Sequence, residues 1–144
     1  GKELSKNCDY LEGIDLSDCM LEEAKKKNVY NKLRQYDIVE YLTTEPLNFN
    51  YLIAADVFVY VGELSDIFRL IKCRSHRTGR LVFSTEHTEK AGYFLEKSGR
   101  YSHSKSYIEG LCSAFKYRIC HFSISNLRKE NDKIICGGLY LLEF

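Results

Sequence analysis

Asp9-Tyr10-Leu11-Glu12-Gly13-Ile14-Asp15-Leu16-Ser17-Asp18-Cys19-Met20-Leu21 reads as a strand, a turn and the start of a helix. The strand runs over 9–15 and ends on an acidic residue. Ser17 has the side chain of an N-cap, and a helix over 18–27 follows. Asp18, Glu22 and Glu23 lie early in it and Lys25, Lys26 and Lys27 late, the order the helix dipole favours. Glu22 with Lys26 and Glu23 with Lys27 are i,i+4 pairs. In an α/β sheet, an acidic residue that ends a parallel strand just before a helix lies at the ligand edge. The two oxygens of Asp15 are placed there to accept both hydroxyls of a ribose. The competing reading is a solvated or helix-capping aspartate.

Working outward, strands and helices alternate, the signature of an α/β fold. Residues 1–6 read as the last turns of a helix. A short strand over 33–36 is closed by Asp37, and a polar turn surrounds Pro46. The run over 51–55, Tyr-Leu-Ile-Ala-Ala, lacks polar alternation, which predicts a strand buried on both faces. A helix over 63–74 places Leu64, Ile67, Phe68 and Ile71 on one stripe. A strand over 80–86 is followed by a polar, irregular loop over 87–102. A helix over 105–115 carries Tyr107, Ile108, Leu111, Cys112 and Phe115 on one face. Strands over 117–125 and 134–144, joined by the polar stretch 129–133, form an antiparallel hairpin. No repeat or linker interrupts the chain, so a single domain over 1–144 is expected.

Composition narrows the function. The 144 residues are 44% hydrophobic and 28% charged, with 21 Lys and Arg against 20 Asp and Glu, a net charge of +1. That balance provides no basic footprint for nucleic acid or an anionic membrane, and no apolar run spans a bilayer. The N-terminus lacks the apolar stretch of a signal peptide. Of the six cysteines, Cys8, Cys19, Cys73, Cys112, Cys120 and Cys136, none forms a Cys-x-x-Cys pair. Most lie in apolar segments and are expected to be buried single thiols, without disulfide or metal site. A reducing, cytoplasmic location follows.

Three further features carry chemistry. Tyr36-Asp37-Ile38 places a carboxylate beside a backbone N–H, a pair that can meet the amino group and a ring nitrogen of adenine. The alternative is a turn aspartate that starts a helix. In Ile53-Ala54-Ala55-Asp56-Val57-Phe58-Val59-Tyr60-Val61-Gly62, a strand runs into a loop with one acid and several large apolar residues. It reads either as a wall where cofactor and substrate meet or as a strand with a hydrophobic plug, a plug to which Val57 and Val59 belong on either reading. In the loop before the last helix, His103 or Tyr101 can serve as a base and Arg100 can hold an anion. The alternative is that Ser102 or Ser104 caps the helix and the other side chains pack or are solvated. His76, His87 and His121 read as surface or strand residues.

Together these segments resemble a class I S-adenosylmethionine-dependent methyltransferase over nearly the whole chain. The resemblance implies a Rossmann-like sheet with a terminal antiparallel hairpin. It implies ribose binding by Asp15, with Leu16 beside it and Met20 against the adenine ring, and adenine recognition by Asp37 and Ile38. It also implies that Ala55, Asp56 and Val57 border the methionine end of the cofactor, with Tyr60 and Arg100 toward the substrate. Gly13 to Met20, Ala54 to Gly62, Ser98-Gly99-Arg100-Tyr101-Ser102-His103-Ser104-x-x-Tyr107 and Leu127-Arg128-Lys129-Glu130 are more narrowly similar to the bacterial tetratricopeptide-repeat-associated methyltransferases. No such repeats occur in this sequence.

The family's first strand and glycine-rich loop are expected about one βα unit before Asp15, and nothing in the sequence matches them. In the family order 3-2-1-4-5-7-6 that strand lies between the second and fourth. Without it two strand edges lack partners. The resulting expectations are closure of the 9–15 strand onto the 51–55 strand, or self-association through the exposed edges, with weak S-adenosylmethionine binding. The resemblance implies methyl transfer to an acceptor, small molecule or protein. The alternatives are a non-catalytic binding module on the same scaffold and a nicotinamide-dependent oxidoreductase. Tyr36-Asp37-Ile38 and the terminal hairpin count against the latter.

Overall fold

The computed structural model describes residues 1–75, 78–130 and 133–144, with 127–130 and 133 described by backbone alone. His76 and the 131–132 part of the last connection lie outside the described residues. The chain forms two compact units, Gly1–Glu45 and Pro46–Phe144, where one domain is expected from the sequence.

The first unit opens with a 3-10 turn, Leu4–Lys6, in place of a helix end. Strand β1 (Glu12–Asp15) leads into helix α1 (Asp18–Lys26), and Ser17 caps that helix by accepting from the Met20 N–H at 3.4 Å. The lysines pair one residue earlier than expected. Lys25 reaches Glu22 at 3.7 Å and Lys26 reaches Glu23 at 2.5 Å, both i,i+3 neighbours on the same helix face. Strand β2 (Lys32–Gln35) pairs in parallel with β1, Asp15 opposite Gln35. Helix α2 (Ile38–Thr44) follows Asp37, at the helix start that the alternative reading of that residue expects. A charged cluster ties this unit together. Arg34 reaches Glu12 at 3.0 Å and Glu45 at 2.6 Å, while the hydroxyls of Tyr41 and Tyr36 donate to the same two carboxylates.

The second unit is a six-stranded mixed sheet. Strand β3 (Tyr51–Ala54) and β4 (Arg80–His87) are parallel, connected through a 3-10 turn (Phe58–Tyr60) and helix α3 (Ser65–Arg74). Leu64, Ile67, Phe68 and Ile71 are all buried, as their helical spacing predicts. Residues 87–102 are not a plain loop. They hold β5 (Tyr93–Leu95), which is antiparallel to β6 (Tyr101–His103), and β6 continues beside the end of β4 in parallel. Helix α4 (Lys105–Phe115) matches its expected bounds and is capped by Ser104, which accepts from the Tyr107 N–H at 3.1 Å. Strands β7 (Arg118–Glu130) and β8 (Lys133–Glu143) form the terminal hairpin, with β8 antiparallel to β4.

The core of this unit is aromatic. Phe83 of β4 stacks on Tyr140 of β8 at 4.9 Å and meets Phe58 at 5.0 Å and Phe68 at 5.9 Å. Two expectations fail on burial. Tyr51 and Ile53 are exposed, so β3 buries one face rather than two, and among the described residues its ladder is with β4. All six cysteines are free, yet only Cys112 is buried. The others occupy strand, turn or helix positions that face solvent, so apolar neighbours in sequence misreport their burial. Among the described residues the ladder of β1 is with β2.

Candidate functional site

In the first unit the two acids reach the same edge of the two-stranded sheet. Asp15 ends β1 and Asp37 lies just past the end of β2, and the strands are parallel neighbours. Each acid also shapes its own turn. Asp15 Oδ1 accepts from the Ser17 N–H at 2.8 Å, fixing the passage from strand to helix. Asp37 Oδ1 accepts from the N–H groups of Val39 at 2.8 Å and Glu40 at 3.2 Å. The helix-start reading of Asp37 is therefore realised. The cap engages the second and third N–H groups of α2 and does not use that of Ile38, which stays beside the carboxylate. Leu16 and Met20 are 65% and 58% exposed, an apolar surface available to a flat ring. Gly13, Ile14, Asp15, Met20, Leu21 and Tyr30 help line a hollow of about 160 Å³. That is smaller than an ordinary ligand pocket of roughly 300–1,000 Å³, so it offers one wall rather than an enclosure.

In the second unit the residues around the end of β3 come together with the 100–103 segment. Asp56 has a left-handed backbone, φ 57°, and its N–H donates to Ser84 Oγ at 2.9 Å. Arg100 donates to Asp56 Oδ1 at 3.4 Å, and its guanidinium carbon lies 5.1 Å from the centre of the Tyr60 ring. Ala55 and Tyr60 are exposed. Val57 is exposed too, whereas Val59 is buried, so of these two valines only Val59 behaves as a core plug.

Tyr101 packs against Gly62. A β-carbon on Gly62 would lie 2.7 Å from the Tyr101 ring, so only glycine allows this approach.

His103 is fully buried. Its Nε2–H donates to the Gly62 carbonyl at 2.9 Å, and the Tyr93 and Tyr107 rings flank it at 6.1 and 5.8 Å. Burial pushes its imidazole below the usual histidine range, against the opposing pull of the Gly62 carbonyl. A ring with no accessible atom does not offer a base to a substrate. The expectation of a catalytic His103 gives way to one of a post that fixes the turn at Gly62. Tyr101 remains partly exposed.

Ser84 and Gly62 were missed in the sequence. Ser84 follows the apolar Leu81-Val82-Phe83 and is itself buried. A hydroxyl there needs a partner, and that need was the readable signal.

The chain superimposes on solved methyltransferase structures over almost its whole length. A protein from Methanosarcina mazei described as a SAM-dependent methyltransferase matches with a TM-score of 0.74 at 11% identity, covering 99% of this chain and 85% of that one. A SAM-dependent methyltransferase from Leishmania major matches with a TM-score of 0.74 at 16% identity, over 96% of this chain and 57% of its own. The fold is that of the S-adenosylmethionine-dependent methyltransferases. A magnesium protoporphyrin IX methyltransferase from Synechocystis, crystallised with bound SAM, gives a TM-score of 0.69 at 17% identity, over 98% of this chain and 62% of its own. The chain thus spans only about three fifths of the latter two. No protein-family model matches it, and a search of curated proteins finds no match.

Proposed function

We propose that this chain carries the adenosine-recognition part of an S-adenosylmethionine-dependent methyltransferase. One observation supports the reading most: Asp15 and Asp37 follow adjacent parallel strands at one sheet edge, each just before a helix. The donor set fits the cofactor's nucleoside. Asp15 accepts from the ribose hydroxyls through charge-assisted hydrogen bonds. Asp37 accepts from the adenine amino group while the Ile38 N–H donates to a ring nitrogen, and Leu16 and Met20 cover the ring. The family resemblance assigns Ala55, Asp56 and Val57, of the second unit, to the cofactor's methionine end. When bound, the cofactor supplies an activated methyl group. The acceptor, small molecule or protein, is oriented by Tyr60 and Arg100, with Tyr101 the candidate to take its proton. The similarity of Gly13 to Met20 and of 98–107 to the tetratricopeptide-repeat-associated group points to a bacterial-type enzyme in the cytoplasm, with neither nucleic acid nor membrane as partner and with self-association through open strand edges.

Calorimetry with S-adenosylhomocysteine tests the reading. Binding that is lost in Asp15→Ala, with the far-ultraviolet spectrum retained, supports it. Binding of a nicotinamide dinucleotide instead, or equal binding by Asp15→Ala, overturns it.

A further inference from the structure

The second unit holds a cation in an unusual setting. The Arg100 side chain is 25% exposed, lies on a Tyr60 ring that is 60% exposed, and makes a single hydrogen bond among the described residues. That bond, 3.4 Å to Asp56 Oδ1, is long for a charge-assisted contact, which ordinarily spans about 2.7–2.9 Å. A guanidinium carries five N–H donors in a planar fork. Most of this fork is thus unused by the protein, although its stem is held. The partner acid is held as well. Its left-handed backbone and the bond from its N–H to Ser84 hold it where one oxygen falls just short of a tight pair. Non-glycine residues rarely adopt that backbone, and such outliers concentrate at functional sites.

The surroundings are apolar and aromatic. Tyr101 follows Arg100 directly in the chain and is partly exposed. Tyr101 in turn lies against Gly62, two residues after Tyr60.

We infer that Arg100 and Tyr60 form the anchor for a small acceptor that bears a carboxylate on an aromatic or apolar body. The planar fork of Arg100 matches a carboxylate bidentately, and the exposed Tyr60 face receives the body. A carboxylate fits better than a phosphate, because Asp56 already supplies one negative charge beside the guanidinium and a dianion meets the stronger repulsion. This inference rests on the methyltransferase reading only for the word acceptor; the anion site itself is independent of the cofactor.

The test is a nuclear magnetic resonance titration of the whole 144-residue chain with benzoate, without cofactor. Benzamide, benzylamine and phenyl phosphate serve as the comparison arms. Benzoate is expected to shift the Arg100 side-chain Nε–H and the amides of Asp56 and Tyr60, with phenyl phosphate weaker and the two uncharged or cationic analogues inert. Arg100→Lys, which keeps the charge and loses the fork, is expected to weaken benzoate by about tenfold. Asp56→Asn, which removes the competing charge, is expected to tighten it. Benzamide shifting these signals as strongly as benzoate, or Arg100→Lys leaving benzoate affinity unchanged, overturns the inference. A failed S-adenosylhomocysteine titration alongside a successful benzoate one would remove the cofactor reading and leave the anion site standing.

Discussion

Asp56 sits where backbone strain and side-chain chemistry can be separated. Its φ of 57° puts it in the left-handed region, which costs an ordinary L-residue about 1–2 kcal/mol; aspartate tolerates it better than alanine. Its contact with Arg100 involves a carboxylate side chain that is 58% exposed, so the pair contributes under about 1 kcal/mol. Asp56→Ala loses the pair and takes on the full left-handed cost, a loss of about 1–2 kcal/mol. Asp56→Gly loses the same pair but relieves the backbone, leaving stability within about 0.5 kcal/mol of the parent. Asp56→Asn keeps the backbone tolerance and lies close to the glycine variant. The alanine and glycine variants are therefore separated by about 1 kcal/mol, or roughly 4–8 °C in melting temperature for a unit of this size. Thermal unfolding followed by the near-ultraviolet tyrosine signal measures the difference. Equal melting temperatures for the alanine and glycine variants would show that the backbone at this position carries no strain, and would remove one support of the anion site.

Four further outcomes are expected. Asp37→Ala removes the α2 cap and destabilises the first unit by about 1 kcal/mol, whereas Asp37→Asn keeps the cap; both weaken S-adenosylhomocysteine in calorimetry, so only the alanine variant also changes hydrogen exchange at Val39 and Glu40. Tyr117→Phe removes the 2.8 Å bond from a buried hydroxyl to the Phe68 carbonyl and costs about 1–2 kcal/mol in urea unfolding. Because burial lowers the pKa of His103 in the folded state, the unfolded chain binds more protons below the ordinary histidine range. Its neutral ring thus favours folding fully above about pH 6.5, and that contribution is lost as pH falls toward the depressed folded pKa; His103→Phe should flatten this limb in melts from pH 7.5 to 5. Glu63 is held below the usual carboxylate range by the Ser65 hydroxyl first and the Tyr107 hydroxyl next, so its contribution is present above the unfolded carboxylate pKa and is lost as pH falls through the folded one. Glu63→Gln should weaken the acid dependence of melting below pH 5.

Local signals in the sequence predicted the elements that rest on local physics. Ser17 and Ser104 cap the helices they precede, because an N-cap needs only a side-chain oxygen within reach of the next turn. The stripe Leu64, Ile67, Phe68 and Ile71 is buried, because four apolar residues at helical spacing have one economical place to go. The extent of helix α2 and the β5–β6 ribbon were hidden for different reasons. The first is only seven residues long and lies beside a proline that reads as a turn. The second joins an exposed strand, β5, to one with a buried serine and histidine, β6, and shows no apolar alternation, so its strands are set by pairing with each other and with β4.

The candidate sites divide along the same line. Asp15 and Asp37 could be placed from the sequence because a strand end fixes where the next residue goes, and parallel pairing of β1 with β2 then brings the two acids to one edge. The approach of Arg100 to Asp56 spans 44 residues and depends on three features that no local pattern announces. One is the left-handed turn at Asp56, another the Ser84 hydroxyl that holds it, and the third the side-chain-free Gly62 that admits Tyr101. His103 shows the limit in reverse. Its place in a polar, aromatic loop suggested reactivity, yet the register of β6 against β4, His103 opposite His87, carries the ring into the interior. A histidine that must stay neutral to remain buried is a poor proton acceptor at neutral pH. Tyr101, two residues earlier on the same face of β6, lies at the strand's start and is only partly covered.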